Sequence, residues 1–422
     1  MAKRKNENGA ESPNEFRFNL TGLIVFCVCL TAGALFLGAK LFGTRQNNAA
    51  APSREMPAPG EMDKFTFTRK GPWGELLTQD ISLERPVEYL NVELKTVPPP
   101  VWTFHGMNVA QVKALFVANG LTQEETEKAL APDRVSTQGT DTLFKPSEQF
   151  VLSLRPEIRA RLYVALRGLD VSPYLDWPYY YPKDSIKSVF ADARLHPDDL
   201  ALLKKLVYDG DGAWRLSDFE TLMGRIPTME RRIATTTALS RQPAVLVGIR
   251  VRPDTDADKV AQYWGNVPNV RFIDIRPMIE ALKRLPNGGG LSLMYVLPPF
   301  ARDHLYTYPL PPKPGEPTPD SQWSTFNFSN LKPDNRFLDH AECTRYIDQH
   351  LYKIAQPSLY GDVVVFKDPA NRITHSAVYL ADDLVFTKGG KDYAMPWVVT
   401  RVPDLQAMFP TCTISYFRNK VD

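Results

Sequence analysis

Between Phe18 and Ala39 the chain runs for twenty-two residues without a charge, and Arg17 and Lys40 bracket the stretch. At about 1.5 Å per residue, a helix of that length matches the roughly 30 Å hydrocarbon layer of a bilayer. A single transmembrane helix over 18–39 is therefore expected. A secretory signal peptide is the competing reading, but its apolar part is typically only about 7–15 residues. Lys3, Arg4, Lys5 and Arg17 precede the span, while Lys40, Arg45 and Arg54 follow it. That balance favours a cytoplasmic tail over 1–17 and an extracytoplasmic body, in a cell membrane.

The pattern then changes. Residues 46–104 read as a linker followed by extended chain wrapping the next domain; Glu88-Tyr-Leu-Asn-Val-Glu-Leu94 alternates apolar and polar positions, and Pro98–Pro100 stop any regular element. From 105 to about 240 the apolar spacing is helical. Asn108 is placed to cap a helix from Val109, and Thr122 with Glu125 has the spacing of a capping box. A short α/β passage follows, with strands at Ala244–Val251 and Leu291–Leu297 around two helices. Six prolines between Pro309 and Pro319 suggest a stiff connector over 306–319, between a mainly helical domain at 105–305 and a C-terminal domain at 320–422. In that last region Asp339 can cap a helix through His340 to Tyr352. Gly361–Phe366, Ile373–Leu380 and Asp383–Thr387 are β-rich segments in hairpin-like succession, to which Trp397–Val402 and Thr413–Phe417 add two more, an antiparallel meander after a helix.

Composition narrows the function classes. Fifty basic and forty-eight acidic residues nearly cancel, which argues against a nucleic-acid partner recognised through bulk positive charge. Four cysteines without a CxxC pair leave no thiolate zinc or redox motif, and no cofactor or metal is expected. Asp209-Gly-Asp-Gly212 fails as a calcium loop because Ala213 and Trp214 stand where a ligand and a glycine are needed, so a turn is expected. Tyr179–Tyr181 read as packing or as a binding surface, and Trp323, Phe326 and Phe328 as core or as a ligand-facing wall.

Candidate chemistry is confined to the last hundred residues. Glu342-Cys343-Thr344 on a helix, Gly361-Asp-Val-Val-Val-Phe366 and His375-Ser-Ala-Val-Tyr-Leu380 follow one another in that order. In this order the three pieces resemble the NlpC/P60 family, over about a quarter of the chain. The resemblance implies a papain-like α+β domain with an antiparallel sheet, and hydrolysis of peptide bonds in bacterial peptidoglycan. It implies Cys343 as nucleophile, His375 as base and Thr387 in the place of the third polar residue that orients the imidazole. Such a thiol needs a lowered pKa, supplied by a helix N-terminus and a neighbouring imidazolium. Cys343 lies closer to Gly361 than is usual in the family, whereas Asp320-Ser321 lies at the usual separation; Ser321 reads as a helix cap or loop residue. The alternative to a hydrolase is a domain that keeps the fold without the chemistry and serves binding or scaffolding at the cell envelope. Partners on these readings are the lipid bilayer and peptidoglycan or another envelope ligand. Cys343 in line with Ile347 and Leu351 also fits plain packing of an apolar helix face.

Overall fold

The computed structural model describes residues 65–420 apart from 182–184, 211, 314 and 391. The expected fold class needs correcting. The described chain is α+β with antiparallel sheets, and no helix among the described residues is long and apolar enough to cross a membrane. The apolar stretch 18–39, on which that expectation rested, lies outside the described residues.

The strands, in chain order, are β1 (Thr66–Phe67), β2 (Glu75–Leu83), β3 (Trp102–Phe104), β4 (Val135–Gln138), β5 (Asp141–Phe144), β6 (Tyr179–Tyr181), β7 (Tyr208–Gly210) and β8 (Ala213–Leu216). They continue with β9 (Gln242–Val251), β10 (Gly289–Ser292), β11 (Leu351–Ile354), β12 (Val363–Lys367), β13 (Ile373–Ala381), β14 (Leu384–Lys388), β15 (Trp397–Arg401) and β16 (Thr413–Asn419). They form a four-stranded sheet in the order β1-β2-β9-β10, a six-stranded sheet in the order β11-β16-β12-β13-β14-β15, and two three-stranded sheets.

The long β2–β9 ladder organises the molecule. It runs antiparallel from Glu75 opposite Arg250 to Leu83 opposite Gln242. Everything between those last two residues is therefore an insertion that leaves and re-enters the sheet at one point. The insertion has its own apolar core, from Leu90 and Trp102 through Phe116, Leu162 and Tyr163 to Leu239. A second core joins Trp73 and Leu76 to Val245–Leu305 and to Trp323–Val399. The proline-rich stretch, expected as a boundary between domains, thus joins two halves of one core, and the 242–305 passage belongs with the C-terminal sheet.

Local signals in the insertion behave as their chemistry requires. Asn108 and Thr122 each accept from the backbone N–H three residues on, closing capping boxes with Gln111 and Glu125; such caps contribute about 1 kcal/mol each. The segment read as extended at 88–94 is instead a helix, Val87–Glu93. Leu90 and the C-cap residue Leu94, four apart, both bury their side chains in the insertion's core, and burial of about 2 kcal/mol per leucine outweighs the weak alternation. The insertion is also less purely helical than expected, because β3–β8 are strands of three or four residues, too short for a period of two to register. Gly210 pairs with Ala213 across the β7–β8 hairpin, and Gly212 between them has φ +78°.

Candidate functional site

Two helices lie against the six-stranded sheet near its candidate residues. Asp320 caps the first, Ser321–Asn327, by accepting from Trp323 N at 2.9 Å. All seven residues of this helix are buried. Its polar side chains are spent on structure. Ser376 N donates to Ser321 Oγ at 3.3 Å, Ser376 Oγ to Thr325 Oγ1 at 3.0 Å, and Trp397 Nε1 to Ser324 Oγ at 2.8 Å. This helix, not the one bearing Cys343, therefore makes the hydrogen bonds to β13. Trp323 packs on Phe300, Phe326 on Phe337 and Phe328 on Phe386, so the three aromatics are core.

Asp339 caps the second helix, His340–His350, accepting from Ala341 N at 2.8 Å. Cys343 falls on its fourth residue, faces inward and is fully buried beside Ile347 and Leu351. Its Sγ–H donates to Phe337 O at 3.2 Å. Burial, helped by the carboxylates of Asp320 and Asp339, pushes the thiol up to about 12. That is the opposite of an activated cysteine, whose thiolate is stabilised by positive charge. The preceding acid, Glu342, pairs with Arg345 on the surface.

His375 and Thr387 do come together. Thr387 Oγ1 lies 3.0 Å from His375 Nε2 and 2.8 Å from Ser376 O. A hydroxyl has one proton; given to Ser376 O, it leaves Oγ1 to accept from the ring, so Nε2 carries the hydrogen. The ring is buried between Phe366 and Phe409, with centroids at 5.8 and 5.0 Å, and burial pulls its pKa down to about 4. The imidazole is thus neutral at pH 7 and offers no positive charge to a thiol.

The decisive relation is one of faces. Val363, Val365, Val378, Leu380, Leu384 and Phe386 point into the core that holds Cys343. Val364, Phe366, Ala377, Tyr379 and Val385 point the other way, beneath Leu405 and Phe409 of the Val402–Met408 helix and its C-cap. His375, against Phe366 and Phe409, belongs to this second face. The six-stranded sheet therefore stands between Cys343 and His375, and the expected Cys343–His375–Thr387 constellation is not assembled. Its physical reason is the strand period of two combined with the depth of Cys343 in the opposite layer.

The Gly-Asp pair has a structural explanation. Asp362 is almost wholly buried and its carboxylate accepts from Ser358 N at 2.8 Å, Leu359 N at 2.9 Å, and Arg418 Nε and Nη2, both at 2.7 Å. Gly361 has φ +96°, and a Cβ there would lie 2.6 Å from Val267 Cγ1. The pair locks the turn before β12 to β16 and to the core. The tyrosine run is likewise packing: Tyr179 lies on Phe219, Tyr180 Oη donates to Ala407 O, and Tyr181 Oη donates to Leu239 O.

Sequence reasoning missed Lys388 and the Asp320–His340 pair. Lys388 is fully buried at the end of β14; its ammonium donates to Gly390 O and, at 2.7 Å, to Asp392 O, and burial pulls its pKa down to about 8. Asp320 Oδ2 lies 2.6 Å from the exposed His340 Nε2. Neither has a local signature, since a lysine after Val-Phe-Thr reads as a strand end. Among the described residues no three His, Cys, Asp or Glu side chains gather as a metal site. A surface groove along the Phe272–Lys283 helix, lined by Arg276, Pro277, Glu280, Ala281 and Arg284, includes none of the candidate residues. No family model, curated protein or solved structure matches the chain.

Proposed function

We propose that the 320–422 region is an NlpC/P60-like domain without thiol chemistry, acting as a binding or scaffold module at the cell envelope. The observation that carries this reading is the sheet standing between Cys343 and His375, with a thiol pushed up to about 12 on one face and a neutral imidazole on the other. A nucleophile and its base must lie within about 3 Å of each other, or reach each other through one water. The polar groups of the Ser321–Asn327 helix are committed to β13 and β15, which favours a rigid platform over a reactive groove. The ligand class, envelope peptides, follows from the resemblance.

The test incubates the protein with purified peptidoglycan, sediments the wall material and analyses the supernatant by mass spectrometry. The expected result is protein in the pellet and no released fragments. Fragments that disappear in both Cys343→Ala and His375→Ala would overturn the reading. Protein left in the supernatant would remove peptidoglycan as the ligand.

A further inference from the structure

One carboxylate of the insertion has nothing to hold it. Glu220, the second residue of the Phe219–Arg225 helix, is half-buried, and among the described residues no hydrogen bond or ion pair engages it. Its neighbour Asp218 is treated differently. That carboxylate accepts from Tyr163 Oη at 2.7 Å and pairs with Arg159 Nε at 3.3 Å. Burial, with Asp218 adding to it, pushes Glu220 up to about 7, and no cation pulls it back. A carboxylate drawn out of water is ordinarily supplied with donors, so an unanswered one points to a donor from outside the chain.

The walls beside Glu220 are aromatic. Tyr174 stacks on Phe219 at a centroid distance of 5.1 Å, and Tyr179 lies on the same ring at 5.5 Å. Both tyrosines are half-buried, and among the described residues neither hydroxyl makes a hydrogen bond. Burial raises the Tyr174 hydroxyl to about 12, and the Glu220 and Glu93 carboxylates add to the rise. Asp392 acts on both tyrosines in the same sense. The one cation nearby, Arg85, is buried and spent on Glu93, with its guanidinium 5.6 Å from the Tyr393 ring. The field at the two free hydroxyls is therefore negative.

We propose that Glu220, Tyr174 and Tyr179 form a binding site for a primary ammonium group carried on an aliphatic stem, as on a lysine-like side chain. An ammonium has three donors and no acceptor, which matches one carboxylate and two hydroxyl oxygens. The ring faces of Tyr174 and Phe219 attract the charge and cover the methylenes of the stem. The site lies in the insertion and stands apart from the reading of the 320–422 domain.

The test titrates the full chain with N-acetyl-lysine methylamide and with its norleucine counterpart, which keeps the stem and lacks the amine. Binding is read by ligand-observed nuclear magnetic resonance at about pH 8, where Glu220 is mostly ionised. The lysine probe should bind saturably and the norleucine probe should not. Glu220→Gln should weaken the lysine probe about tenfold, and Tyr174→Leu should weaken it by roughly threefold. Hydrogen exchange at the buried Leu162 checks that the insertion stays folded. If Glu220→Gln loses that protection, Glu220→Asp replaces it and should still weaken binding, because the carboxylate is withdrawn by one methylene. Absence of saturable binding by the lysine probe, equal binding of the two probes, or unchanged affinity in a folded Glu220 variant overturns the proposal.

Discussion

Replacing His375 by Gln removes a titrating group from a fully buried site and should change how stability depends on pH. In the folded protein burial pulls the imidazole down to about 4 from an ordinary 6.5. Above pH 6.5 the ring is neutral in both states and contributes no pH dependence. Between 6.5 and about 4 the unfolded chain takes up a proton that the folded chain refuses, so stability falls as pH falls through this window. Below about 4 both states are protonated and the loss is complete. Moving the ring from 6.5 to about 4 corresponds to about 3 kcal/mol. The assay is urea unfolding of wild type and His375→Gln at intervals from pH 7.5 to 4, compared as a difference so that the common carboxylates cancel. Gln can still donate to Thr387 Oγ1, so the variant should fold. Its deficit relative to wild type, largest at neutral pH, should shrink by about 3 kcal/mol on reaching pH 4. A difference independent of pH would refute the reasoning, because it would mean that the ring titrates in water as an exposed histidine does.

Three further outcomes follow from the packing. Asp362→Asn breaks the buried pair with Arg418 and weakens the hold on Ser358 and Leu359, and should cost about 3 kcal/mol in urea unfolding. Lys388→Met removes a cation whose folded pKa, about 8, lies below its ordinary 10.5. Relative to that variant, wild type should gain about 3 kcal/mol between pH 8 and 10.5, as the unfolded chain alone binds the proton in that window. Residues 85–241 expressed alone should unfold cooperatively by circular dichroism, since their core is self-contained and their ends lie side by side; a molten, non-cooperative product would contradict the two-core architecture.

What the sequence made legible is what is local. The caps at Asn108, Thr122 and Asp339 rest on one side chain and a backbone N–H two or three residues away, and all three form. The strands from β12 to β16 run for five to nine residues and are rich in β-branched and aromatic side chains, enough to read as strands. Two features escaped for physical reasons. The β2–β9 ladder joins segments far apart in the chain, and nothing in either strand names its partner. That pairing turns an apparent chain of domains into one unit inserted within another. The layer occupied by Cys343 escaped too. Strand alternation correctly aligns His375 with Ala377 and Tyr379, although the bulge at Phe366–Lys367 turns Ile373 toward the other core. Which of two covering helices faces which side of the sheet is a tertiary choice. Cys343 has a helical environment much like a nucleophile's, and only its depth and face tell the difference.

The most direct test of a domain without thiol chemistry is the reactivity of Cys343 itself. With its pKa near 12, the thiolate fraction at pH 7.5 is below about one in ten thousand, against several per cent for an ordinary thiol. The measurement is a time course of iodoacetamide alkylation at pH 7.5, read peptide by peptide by mass spectrometry, on native and urea-unfolded protein. The account predicts that Cys343 stays unmodified in the native protein while it reacts at an ordinary rate in urea, at least about a hundredfold faster. Native Cys343 alkylated as fast as in urea, or faster, would contradict it and restore the thiol as a nucleophile.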